Sequence, residues 1–312
     1  MKKVIPSIAI GFALAVQGNA NAQGSLTPTS GPSPTQKSLQ EIWNSVESLK
    51  SEISSLKLEL STNQSYLQNQ ILSEMVYVQG GVLPISSEIS GQSVGSFYIG
   101  RTEVTFAEWK SVRDYAVANE YTFDNQGGAP SDKHPVGDVS WYDVIKWCNA
   151  KSQQMGLSPV YFVGNNIYKT GKSNPTEDNN ANGFRLPKDA EWEWAARGGV
   201  NSKGFTYSGS NTPTTIAWFA DNSNGALVSM HEGMGTWPVG TKAANELGVF
   251  DMSGNIEEWI SDYADVIPYT AAPRRVRGGG WADPPIRIII SDRTHGGNAD
   301  YTFFGFRIAK NK

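Results

Sequence analysis

Thiols, imidazoles and glycine-rich phosphate loops are the usual carriers of chemistry, and this sequence offers few of them. Cys148 is the single cysteine in 312 residues and sits within Trp147-Cys148-Asn149 of a helical-looking stretch. One thiol forms no intrachain disulfide, and in that setting it reads as a buried, inert side chain. His134, His231 and His295 are the only histidines, and no two have the close spacing of a metal motif. Gly278-Gly279-Gly280 lacks the lysine and hydroxyl partners of a phosphate-binding loop. Gly91-Gln92-Ser93-Val94-Gly95 matches the letters of a serine nucleophile elbow, which needs a strand before it and a helix after it. A strand pattern, Phe97 to Arg101, follows it, so the segment reads as a turn. Carboxylate pairs are plentiful, and sequence alone does not say which converge.

Composition narrows the class. Gly (32), Trp (10) and Tyr (12) are abundant, which suits a loop-rich fold pinned by large rings rather than a helical bundle. Lys2 and Lys3 precede an apolar run, Val4 to Val16, and small residues at Ala20-Asn21-Ala22. This reads as a cleaved export signal over residues 1–22, with Gln23 as the mature start. The run is well short of the ~20 residues that cross a membrane, and no later segment is apolar enough. Loss of Lys2 and Lys3 takes the net charge from −4 to −6, leaving 24 basic against 30 acidic residues. That balance argues against nucleic acid as a partner. The expected location is periplasmic or extracellular.

The elements that must position any site follow from periodicity. Residues 23–37 are rich in Ser, Thr, Pro and Gly and read as a flexible linker. Over 38–74, Leu39, Ile42, Val46, Leu49, Ile53, Leu56 and Leu60 recur at alternating steps of three and four. This is a heptad seam, so the segment is expected to be a parallel coiled-coil stalk joining two or three copies of the chain, with Glu52 and Lys57 placed to bridge them. From Met75 the period changes. Met75–Val78 and Phe97–Arg101 read as strands, and Phe106–Asn119 and Trp141–Gln154 as amphipathic helices. Thr105 and Ser140 are their N-caps, with Glu108 completing a capping box at the first. Pro187–Arg197 is a shorter helix closed by Gly198-Gly199. The result is an α+β head over 75–312 with limited regular structure.

Five segments of this head occur in a telling order. They are Thr102-Glu103-Val104-Thr105; His134-Pro135-Val136 with Val139-Ser140-Trp141; Gly183-Phe184-Arg185-Leu186-Pro187 leading to Glu191–Gly199; Gly248–Trp259; and Arg277-Gly278-Gly279-Gly280-Trp281 with Gly305-Phe306-Arg307. Together they resemble the sulfatase-modifying-factor family, the formylglycine-generating enzymes and their relatives. The resemblance implies a C-type-lectin-like α+β fold. It also implies a test of chemistry, because those enzymes hold copper on two cysteines after the Gly-Gly motif. Counting from Arg277-Gly278-Gly279, the two positions fall on Asp283 and Ile288, so copper–thiolate catalysis is not expected. A branch with histidine-ligated iron finds only the three scattered histidines.

The resemblance further implies a structural calcium ion in the Gly-Asn loop, on Asp251, Glu258 and the carbonyls of Gly254 and Ile256. It places the surface cleft after the Gly-Gly motif, where Trp281, Asp283, Arg287 and His295 are the ligand candidates. Aromatic rings beside Arg and Asp suit a peptide or a glycan. The expectation is therefore an exported, oligomeric recognition or scaffold protein with a non-catalytic head. The alternative is an oxidoreductase-like or metal-assisted enzyme of that family with non-copper chemistry, using Asp283 and His295.

Overall fold

The computed structural model describes residues 39–223, 235–264, 273–296 and 304–312. The expected export signal (1–22) and linker (23–37) lie outside the described residues, as does His231. The chain divides into two units at Glu59/Leu60. Helix α1 (Leu39–Glu74) is unbroken, as expected for a segment without Gly or Pro. Within one chain its seam stays exposed: Ile42, Val46, Leu49, Ile53, Leu56 and Leu60 each present over a third of their surface to solvent.

The second unit carries two four-stranded sheets. One runs in the order Met75–Val78, Phe97–Gly100, Ala309–Asn311, Phe184–Arg185, with antiparallel pairing throughout, so the C-terminal strand is inserted between two earlier ones. The other runs Thr294–Gly296, Arg274–Arg277, Glu257–Tyr263, Phe304–Phe306. Its last pair is parallel and the others antiparallel. The helices are α2 (Phe106–Ala118), α3 (Trp141–Gln154) and α4 (Asp189–Ala196).

Both expected N-caps form. Thr105 Oγ1 accepts from Glu108 N at 3.2 Å, and Ser140 Oγ accepts from Asp143 N at 3.2 Å. The reciprocal half of the first capping box does not follow: the Glu108 carboxylate pairs instead with Lys151 Nζ of α3, 2.5 Å away. A charged partner outcompetes a backbone N–H here.

Helix α3 departs from the amphipathic pattern. Twelve of its fourteen residues are buried, including Asp143, Lys146 and Asn149. Each of these polar groups is paired. Lys146 Nζ lies 3.3 Å from Asp143 Oδ1. Asn149 Nδ2 donates to the carbonyls of Tyr161 and Tyr168, and its Oδ1 accepts from Val160 N and Tyr161 N. One asparagine thus replaces the backbone partners that a longer strand would supply. Trp109 and Trp147 stack 6.0 Å apart, with Phe306 edge-on to both. Cys148 is fully buried beside them, and burial pushes its pKa up, as expected for an inert thiol.

Candidate functional site

Strand Glu257–Tyr263 is central to the second sheet and leaves a loop held by one residue. Asn255 has φ +63°, a left-handed conformation that asparagine tolerates better than most residues. Its N donates to Trp218 O (2.8 Å), its carbonyl accepts from Trp281 N (2.9 Å), and its Oδ1 accepts from Trp237 N (2.8 Å). A single buried asparagine therefore fixes the backbone of three tryptophans that are distant in sequence. Trp218 and Trp237 stack at 4.1 Å, and Lys242 Nζ lies 3.9 Å from the Trp218 centroid.

The Gly-Gly motif explains how the next loop closes. Gly279 has φ +64°, and a β-carbon there would lie 2.6 Å from the Arg287 carbonyl and 2.8 Å from the Ile288 side chain. Only glycine permits that approach. Buried Arg277 then ties the loop to α4. Its guanidinium donates to Asp189 Oδ1 (2.6 Å), Glu193 Oε2 (2.5 Å), and the carbonyls of Ile290 and Asp292. Arg293 adds a second contact to Asp189 at 2.6 Å.

These supports frame a pocket of about 240 Å³ lined by Glu257, Gly280, Trp281, Ala282, Asp283 and Phe304. Asp283 is oriented by its own turn, its Oδ2 accepting from Gly280 N at 2.8 Å. Ser223 Oγ donates to the Trp281 carbonyl at 2.8 Å. Glu257 projects from the first position of its strand. Burial, with the negative Asp283 second, pushes its pKa up to about 7. Its carboxylate has no hydrogen bond or ion pair among the described residues.

The four cleft candidates separate. Trp281 and Asp283 line the pocket. Arg287 does not, and its Nη1 is engaged by Asp292 Oδ1 at 3.0 Å. His295 is exposed on strand Thr294–Gly296, opposite Arg275, and is not a lining residue either. Strand alternation turns it away, and sequence distance alone did not reveal that. His134 Nδ1 lies 3.0 Å from Thr236 Oγ1. Phe304 lies in the stretch after the Gly-Gly motif where the resemblance places the cleft; Glu257 is the lining side chain that sequence reasoning missed. The Glu257-Glu258 doublet was the available signal, since alternation sends one of two adjacent strand residues to each face.

The calcium expectation meets a different arrangement. Glu258 is fully buried, and Arg307 Nε contacts both its oxygens at 2.9 and 2.7 Å, with Nη2 at 2.6 Å from Oε1. Trp192 Nε1 also donates to Oε2 at 2.8 Å. Asp251 Oδ2 accepts from Gly240 N at 2.6 Å, and the Ile256 side chain packs in the core. With a guanidinium already neutralising Glu258, Asp251, Gly254, Ile256 and Glu258 do not fit a calcium ion. Among the described residues no group of three or more His, Cys, Asp or Glu has the geometry of a metal site. Nearby, Glu103 Oε1 and Asp251 Oδ1 are buried without hydrogen-bond partners. Burial, then the neighbouring Asp251, raises the Glu103 pKa well above the carboxylate range, and burial pushes Asp251 up to about 6.

Ile288, at the second thiolate position, is wholly buried with Ile216, Ala217 and Phe219. It is a packing residue and does not face the pocket lining.

Comparison with known proteins bears on this architecture. The model of the sulfatase-modifying factor enzyme 1-like domain matches residues 62–312. Chaperone protein LppX of Paenibacillus barcinonensis is 37% identical over 231 residues, 67% of this chain and 78% of that protein. The formylglycine-generating enzyme of Mycobacterium tuberculosis is 33% identical over 122 residues, 36% of this chain and only 40% of the enzyme. Among solved structures, CarF superposes with a TM-score of 0.65 at 27% identity, covering 76% of this chain and 98% of CarF. Treponema denticola variable protein 1 gives 0.60 at 28% identity, covering 77% and 94%. With the match running through both sheets and the pocket between their loops, the chain belongs to the sulfatase-modifying factor enzyme 1-like family.

Proposed function

We propose that this chain is an exported, oligomeric binding protein whose non-catalytic head holds a polypeptide in the Trp281–Asp283 cleft. The observation that carries this reading is what stands at the two thiolate positions. Asp283 faces an open pocket, and Ile288 is sealed in the core. The cleft lacks the sulfurs that copper chemistry requires. Similarity to a protein named as a chaperone favours a polypeptide over a glycan as the ligand. Among the described residues no helix is long and apolar enough to cross a membrane.

The stalk supports oligomerisation. Its exposed heptad seam has a second copy of itself as the natural complement, and joining heads multiplies weak affinities. The test uses residues 23–312. Light scattering is expected to give a dimer or trimer, and a double Leu49→Asp, Ile53→Asp variant a monomer. The parent is expected to bind a fluorescent unfolded polypeptide without altering it, and the monomer to bind more weakly. A monomeric parent removes the stalk reading, and covalent change of the polypeptide removes the non-catalytic one.

A further inference from the structure

The Glu257 pocket poses a chemical problem that its own protein does not solve. A carboxylate largely withdrawn from water costs several kcal/mol unless it is paired. Three fully or nearly fully buried acids near this loop each have a cation. Glu258 has Arg307, Glu193 has Arg277 and Arg197, and Asp189 has Arg277 and Arg293. Glu257 has none among the described residues, and a second acid, Asp283, opens onto the same cavity. Arg287, whose charge is felt at Glu257, is turned to Asp292. Two aromatic side chains, Trp281 and Phe304, also line it.

We infer that this pocket is a specificity site for one cationic side chain, a lysine ammonium or arginine guanidinium, of the bound polypeptide; the inference rests on the polypeptide reading given above. Three features select this ligand. About 240 Å³ is below the ~300–1,000 Å³ of small-molecule sites and matches a single side chain. Aromatic faces attract a cation through their quadrupole, and carboxylates supply its counter-charge, so the two kinds of wall favour the same guest. A neutral or anionic group would leave the Glu257–Asp283 pair uncompensated. The absence of a side chain on Gly280, at the base between the two acids, leaves room for the guest. A β-carbon there would lie 3.5 Å from Glu257 N and 3.8 Å from Asp283 Oδ2.

The test measures binding of a fluorescent unfolded polypeptide to residues 23–312 by anisotropy, before and after its lysines are acetylated and its arginines blocked. The parent protein is expected to bind the unblocked form about tenfold more tightly, the scale of one good cation contact. Glu257→Gln and Asp283→Asn are each expected to erase most of that preference. Both are near-isosteric, and the Asn keeps an acceptor for Gly280 N. Asp114→Asn, an exposed acid of α2, is expected to change nothing, which separates the pocket from general attraction to an acidic protein. Equal binding of both forms by the parent overturns this inference and leaves the polypeptide reading intact. If neither form binds, the polypeptide reading fails, and direct titration with n-butylammonium decides the pocket. Saturable binding that is lost in Glu257→Gln keeps the site as a cation pocket, and no binding removes it.

Discussion

Glu257 and Glu258 are adjacent in one strand and chemically identical, yet they belong to different worlds. Glu258 enters the core and meets Arg307, Trp192 and no solvent. Glu257 faces the opposite side, with Trp281, Phe304 and a second acid across an open pocket. One carboxylate is spent on stability and the other is free to meet a ligand. The pleat makes the separation, because successive strand residues project to opposite faces. A charge that the fold has already neutralised is structural; a charge that it leaves uncompensated at a concave surface is a candidate for recognition.

That contrast breaks most sharply at the buried partner. Glu258→Gln takes the ion-pair partner from the Arg307 guanidinium at the centre of the head, and we expect a loss of about 3–5 kcal/mol in urea unfolding. Asn255→Ala comes next. It removes the acceptor for Trp237 N and puts a residue less suited to φ +63° at the hub, for an expected loss of about 2–3 kcal/mol. The same variant is expected to disturb the cleft, read as altered near-ultraviolet dichroism from the three tryptophans.

Asp251→Asn should move in the other direction. Burial raises the Asp251 pKa, so the stability associated with its proton is present below about pH 4 and is lost as pH rises through about 6. Asparagine keeps an acceptor for Gly240 N, accepts the φ of +57°, and removes one buried charge. We expect a gain of about 1–2 kcal/mol at pH 7 and a flatter profile between pH 4 and 6. An unchanged profile would assign that pH dependence to the other acids that burial raises, Glu257 and Glu103 among them. The smallest effect belongs to Glu257→Gln. Without ligand, its thermal midpoint is expected to match or slightly exceed that of the parent, because the substitution removes an unpaired charge rather than a paired one. A loss as large as that of Glu258→Gln would make Glu257 structural and end the contrast.

Much of this architecture was readable in advance. The caps at Thr105 and Ser140, both long helices of the head and strands Met75–Val78 and Phe97–Gly100 follow local rules that involve only a few neighbours. The Gly-Gly motif was legible because left-handed backbone restricts residue choice locally. Half of the cleft was legible too, since Trp281 and Asp283 directly follow that motif. Glu257 was not, because it meets the rest of the pocket through a parallel pairing with a strand 47 residues later, Glu257 opposite Phe304. Nor was the burial of α3, where Asn149 finds partners contributed by a later segment.

By itself the sequence determined the helices, the glycine-dependent turns and the family, because each depends on short-range sterics or on an ordered set of motifs. Only the tertiary structure decided which charges cancel. Arg307 reaches Glu258 across 49 positions, and Arg277 reaches Glu193 across 84. Electrostatic pairing depends on distance in space, and that distance exists only once the two sheets are assembled.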